Sequence, residues 1–99
     1  MLHKFFVTQE HIKNSCPKDA FKCMVHLAVK EKIPDLMVQV GKYQLHLWTK
    51  GRNFFVQSRI AVIDWPEHVT ANIIRHDNNM EVLPFDFVLE IPNEISVNI

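Results

Sequence analysis

Four side chains near the amino terminus carry the donor types of a zinc site: His11, Cys16, Cys23 and His26. Zinc takes thiolate and imidazole ligands, and residues three apart on a helix, as Cys23 and His26 are, share a face. The spacing works against that chemistry. Structural sites pair ligands at short separations in both halves, and the six residues between Cys16 and Cys23 are too many for a knuckle. Cys23 also falls on an apolar helical stripe, where a free cysteine behaves as a small core residue. The same residues offer a cysteine–histidine nucleophile pair on paper, but no third group orients it and a buried thiol is inert. Asp86 and Glu90 are the closest thing to a carboxylate pair. On a strand they are four residues and ~13 Å apart, too far for acid–base partnership. Two glycines in the whole chain leave no G-x-G-x-x-G and no P-loop. No enzyme, no metal and no cofactor is expected.

Binding chemistry is better represented. Gln44, His46 and Trp48 alternate on one face of an expected strand, opposite Tyr43, Leu45 and Leu47. A tryptophan and a histidine on a polar sheet face can stack a base, with Arg52 or Arg59 taking a phosphate. A helix over that face would instead make Trp48 a core residue. The basic-aromatic set that a nucleotide-type ligand needs is Trp48, Arg52, Arg59, Arg75 and His76. Lys13, Lys18 and Lys22 also add positive charge near the first helices, and such a run usually forms a solvated face.

The composition bounds these options. Ninety-nine residues, 47% apolar and 22% charged, make one folded domain and not a disordered tail. Eleven basic residues balance eleven acidic ones, which argues against direct nucleic-acid binding by bulk charge. The distribution is uneven. Residues 1–50 hold eight lysines against Glu10, Asp19, Glu31 and Asp35, while residues 51–99 hold three arginines against seven acids. That split of +4 and −4 either steers one subunit onto another or pairs up inside the domain. The opening Met1-Leu2-His3-Lys4 begins no signal peptide, and two cysteines make no disulfide framework, so the expected setting is the cytoplasm with reduced thiols. No stretch approaches the ~18 apolar residues that span a bilayer.

These residues must be positioned by an α+β domain over residues 1–92: a mostly antiparallel sheet of four to five strands with two or three helices on one face. Phe5, Phe6 and Val7 mark a first strand, and Thr8 caps a short helix that Asn14 and Ser15 break. Ser15 caps a second helix over residues 17–32, with Pro17 in its first turn. Ala20, Cys23, Met24, Leu27 and Ala28 point inward and Pro34 ends it. A meander follows: Leu36, Val38 and Val40, a tight Gly41-Lys42 turn of the Gly-X kind, then residues 43–49. Lys50-Gly51-Arg52 turns into a third strand at 53–57, and residues 58–63 either extend it or form a loop. Asp64 and Glu67 have capping-box spacing, and Trp65, Val69 and Ile73 lie along one face of the next helix. After His76-Asp77-Asn78-Asn79, Leu83, Phe85, Phe87, Leu89 and Ile91 point inward and Asp86 and Glu90 outward. Pro84 lacks a backbone donor, so this strand starts at an edge or a bulge. Residues 93–99 form a tail in which Ile95, Val97 and Ile99 alternate. It is either frayed or an extra strand through which copies of the chain associate.

The order of these pieces has a family look. Val7-Thr8-Gln9-Glu10-His11-Ile12, Cys23-Met24-Val25-His26-Leu27-Ala28-Val29-Lys30 and Val38-Gln39-Val40-Gly41 form one part. Residues 65–74, His76-Asp77-Asn78 and Val82-Leu83-Pro84-Phe85-Asp86-Phe87 form the other. Together, over residues 7–92, the chain resembles a family of small phage- and prophage-encoded proteins with a closing Pro-Phe-x-Phe strand. It departs from that pattern at Asn78-Asn79-Met80, where the pattern has a glycine-containing turn. The resemblance implies a phage accessory protein in the host cytoplasm and supplies no activity or site residue. The expected function is therefore non-enzymatic binding, as a homo-oligomer, that counters host defence by sequestering a nucleotide-type signal or inhibiting a host protein. The alternative is a small nucleic-acid-binding protein.

Overall fold

A computed structural model describes residues 1–49 and 58–98. The order of elements is β1 (Leu2–Val7), α1 (Gln9–Lys13), α2 (Met24–Lys32), β2 (Leu36–Val40), β3 (Gln44–Thr49), β4 (Arg59–Asp64), α3 (Glu67–Asp77) and β5 (Phe85–Glu90). The α+β architecture expected from the pattern is present, and the five strands among the described residues divide between two antiparallel sheets. One pairs β1 with β5 and the other runs β2-β3-β4.

Period-two alternation explains the two-stranded sheet. Phe5 and Val7 on β1 and Phe87 and Leu89 on β5 are buried, while Phe6, Asp86, Val88 and Glu90 face out. Phe5 stands opposite Phe87, and their rings stack at 5.3 Å. Trp65 closes on Phe87 edge-to-face at 5.7 Å, so the residue ahead of α3 joins the core that the terminal strands make. Helix α2 packs against both β1 and β2 and ties the two sheets together. Its buried residues Met24, Val25, Ala28 and Val29 meet Ile33, Leu45, Leu47 and Ile91 in one cluster.

Several expectations are corrected. The second helix begins at Met24, not at residue 17, because the preceding backbone is held in turns and by side-chain acceptors instead. Asp19 Oδ1 accepts from the Phe21 amide and Asp77 Oδ1 from the Lys18 amide, both at 2.9 Å, and Lys18 has φ 66°. Cys23 Sγ then accepts from the His26 amide at 3.3 Å and serves as N-cap. Ser15, the expected cap, donates instead to the Ile12 carbonyl at 2.7 Å. Ala20, expected on the inward stripe of that helix, lies in this loop, and its carbonyl accepts from the Val40 amide.

The hairpin after β2 is not of the Gly-X kind, since Gly41 has no positive φ. The backbone is crowded there: an added Cβ would lie 3.3 Å from the Gln44 carbonyl oxygen, and the Gly41 carbonyl accepts from Trp65 Nε1 at 2.8 Å. Residues 58–63 belong mostly to β4, which pairs with β3; the Lys50-Gly51-Arg52 turn and the strand expected at 53–57 lie outside the described residues.

Asp64 does not cap α3. It is the last residue of β4, and its Oδ1 accepts from Gln44 Nε2 at 2.9 Å. The cap position falls on Pro66, whose fixed φ leads into the helix with no side-chain bond. Trp65, Val69 and Ile73 are buried as their spacing requires. Asn79, where the resembled pattern has a glycine-containing turn, takes φ 59°, the left-handed conformation that asparagine tolerates. Leu83, expected inward, is 68% exposed; Val82 fills the core and the strand starts only after Pro84. Residues 93–98 form no strand. Ile95 and Val97 pack half-buried against the core, and the Asn98 amide donates to the Lys32 carbonyl at 2.7 Å.

Candidate functional site

The three-stranded sheet has one face in the core and one turned away from it. Leu45 and Leu47 of β3 are fully buried, which by alternation sends Gln44, His46 and Trp48 to the opposite face. The register places Trp48 between Met37 on β2 and Arg59 on β4. An irregularity beside Leu47 and Trp48 inserts one extra residue into β4, so Arg59 and Ile60 both serve this face. The Arg59 guanidinium lies 5.8 Å from the centre of the Trp48 ring, within cation–π range. Trp48 Nε1 donates to Gln39 Oε1 at 3.1 Å, which fixes the indole from the other side. His46 stands opposite Gln39 and Val62, with its Nδ1 buried and without a hydrogen-bond partner. Ile60 and Val62 are 45% and 42% exposed beside this row. An aromatic plane, a cation beside it and a buried imidazole nitrogen without a partner thus share one sheet face with exposed aliphatic residues.

The other expected site residues are placed differently. Arg52 lies outside the described residues. Arg75 donates from Nε and Nη2 to the Glu81 carbonyl, at 3.3 and 3.1 Å, and holds the turn that leaves α3. His76 is buried on the core side, with Nε2 3.0 Å from Ser15 Oγ. The Ser15 hydroxyl proton is committed to the Ile12 carbonyl, so His76 Nε2 carries a proton and donates to Ser15. The structure therefore brings Trp48 and Arg59 together and leaves Arg75 and His76 in a separate, structural arrangement around the end of α3.

Two grooves lie elsewhere. One of about 480 Å³ runs between α3 and the loop before α2, lined by residues including Lys18, Asp19, Cys23, Lys42, Ile73 and Asp77. The other, about 590 Å³, is lined by residues including Thr8, His11, Leu27, Lys30 and Glu31. Buried His11 organises the second. Its Nδ1 accepts from the Thr8 amide at 3.0 Å, so Nε2 holds the proton and donates to Glu31 Oε1 at 2.6 Å. No spacing rule marks this pair, whose members are 20 residues apart in the chain. Gln39 was equally silent; only the register between β2 and β3 sets it beside Trp48.

The histidines and cysteines considered for zinc are dispersed by these roles. Burial pushes the Cys23 thiol up to about 11, and Cys16 is exposed. His26 is held below its ordinary value, first by burial and then by the Lys30 charge. Among the described residues, no three His, Cys, Asp or Glu side chains converge as metal ligands. No helix among them is long and apolar enough to cross a membrane.

Fold and site define an α+β domain that presents an aromatic–cationic sheet face. The chain matches no protein-family model, no curated protein and no solved structure.

Proposed function

We propose that this is a non-enzymatic binding protein whose contact surface is the outer face of β2-β3-β4, and that its ligand is of the nucleotide type. The observation that carries the reading is the Trp48–Arg59 pair, 5.8 Å apart on that face. A base stacks on an indole or a guanidinium plane, and a guanidinium pairs with phosphate in two-pronged geometry. Within the phage setting that the sequence resemblance implies, the protein removes a host nucleotide signal from solution and so blunts a defence response in the host cytoplasm. The near-neutral charge of the chain favours a small nucleotide over a long nucleic acid.

Fluorescence and thermal-shift titration with cyclic mononucleotides, cyclic dinucleotides and ADP-ribose tests this. Trp65 is buried against Gly41, so a ligand on the sheet face changes the emission of Trp48, and Trp48→Phe abolishes the change. A ligand at about 100 times its dissociation constant adds about 2.7 kcal/mol of stability. No change with any nucleotide sinks the reading and moves the assignment to a host protein as partner. Exposed Ile60 and Val62 beside Trp48 and Arg59 favour that second reading, because an aliphatic rim around Trp and Arg anchors suits a protein interface.

A further inference from the structure

Each sheet edge in this fold exposes backbone groups, and the ladders show which ones. The Gly41 amide donates to the Gln44 carbonyl at 2.9 Å, which sets the phase of β2 against β3. Leu36, Val38 and Val40 therefore direct their N–H and C=O groups away from β3. All three are engaged: Lys30 Nζ donates to the Leu36 carbonyl, His26 bonds the Val38 backbone, and the Val40 amide donates to Ala20. In the two-stranded sheet the Met1–Ile91 bond sets the phase, turning Leu2, Lys4 and Phe6 on β1 and Asp86, Val88 and Glu90 on β5 outward. The Lys4 carbonyl takes Lys32 Nζ, and the Asp86 carbonyl takes His68 Nε2. The β2 edge is thus engaged at all three outward residues, and the β1 and β5 edges each carry one side chain on an outward carbonyl, a common defence of strand edges.

Strand β4 is treated differently. The Trp65 amide donates to the Tyr43 carbonyl at 3.0 Å, so Ile63 and Ala61 bond β3 while Val62 and Asp64 direct their backbone groups outward. Among the described residues these outward groups meet no donor or acceptor, and the strand carries no proline or lysine to blunt it. Its sequence, Arg-Ile-Ala-Val-Ile-Asp, is basic at one end and acidic at the other. Antiparallel self-pairing centred on Val62 keeps like faces together, sets Ile60 against Asp64 of the second copy, and brings Arg59 diagonally to that carboxylate.

We infer that β4 is a self-association edge: two copies pair antiparallel through it, Val62 facing Val62 across a two-fold axis, and merge their sheets into one of six strands. The occupant is a second copy of this chain because the strand complements itself in register, side-chain face and charge. The inference does not depend on the nucleotide reading, since it rests on the outward backbone groups of β4; Arg59 is the residue the two share.

Sedimentation equilibrium over a wide concentration range tests it. The wild-type chain has twice the monomer mass of 11.6 kDa at high concentration. Val62→Lys places two like charges at the axis and halves the mass, with the far-ultraviolet circular dichroism unchanged because Val62 is exposed in the monomer. Val62→Glu does the same, and an equal mixture of the two variants restores the dimer. A wild-type chain that stays monomeric at every concentration overturns the inference. So does a dimer that persists in both variants, or a mixture of folded variants that stays monomeric.

Discussion

Ser15 Oγ and His76 Nε2 are 3.0 Å apart, the separation of a hydroxyl nucleophile and its base, but the proton runs the wrong way. Ser15 donates to Ile12, so His76 serves as a donor that pins the loop after α1 to α3. Nothing in the sequence marks this contact across 61 residues, and it takes His76 away from the basic-aromatic set in which the sequence places it. The cysteines were more legible, because an apolar stripe at helical spacing already put Cys23 inside. Its thiol, pushed up to about 11 chiefly by burial, keeps its proton in the fold well beyond the 9.0 of an ordinary cysteine. It therefore favours the folded state fully below about pH 9 and progressively less as pH rises through about 11. At neutral pH an aromatic disulfide reagent should titrate one fast thiol per native chain, Cys16, and two after unfolding. Two fast thiols in the native protein would contradict the burial of Cys23.

Among the elements, α1 shows how little sequence a defined helix end requires. Thr8 Oγ1 accepts from the His11 amide at 3.2 Å and His11 Nδ1 accepts from the Thr8 amide, a reciprocal cap with histidine in the usual glutamate position. Thr8→Ala removes one arm and is expected to lower stability by about 1 kcal/mol, with a fall in the melting temperature of about 4–8 °C. Asp64→Ala provides the contrast. Spacing alone marks Asp64 as an equally important cap, but it ends β4, and its loss should change stability by less than about 0.5 kcal/mol. Thermal denaturation followed by circular dichroism distinguishes the two; equal effects would mean that Asp64 caps α3 after all. The late start of α2 has the same kind of cause. Pattern matching carried the helix back to residue 17, whereas the side chains of Asp19 and Asp77 satisfy that backbone without it.

For the whole molecule, the two ends of the chain decide closure. The Met1 amino group lies 2.7 Å from Glu90 Oε1, β1 pairs with β5, and the tail beyond Pro92 folds back over α2 through Asn98 and Lys32. Deleting residues 93–99 removes the half-buried Ile95 and Val97 from the core they pack against and should lower stability by roughly 1–3 kcal/mol. With self-association assigned to β4, that deletion leaves the mass of the assembly unchanged. A truncated chain that is fully stable but newly monomeric would return the association surface to the tail. Sequence pattern leaves an alternating apolar tail as either frayed or an extra strand because it cannot tell a strand partner from the protein's own core.

What the sequence determined by itself was local: Phe5, Val7, Leu45, Leu47, Phe87 and Leu89 must point one way by strand alternation, and Trp65, Val69 and Ile73 share one face. Those periodicities require an α+β core because apolar side chains at fixed spacing leave water together. The tertiary structure decided everything that depends on pairing distant segments: among the described residues, five strands in two sheets, Arg59 over Trp48, Gln39 beside it, and side chains set on the edges of β1, β2 and β5 but not of β4. Register and long-range hydrogen bonds arise from the joint packing of all elements, and no single stretch of residues encodes them.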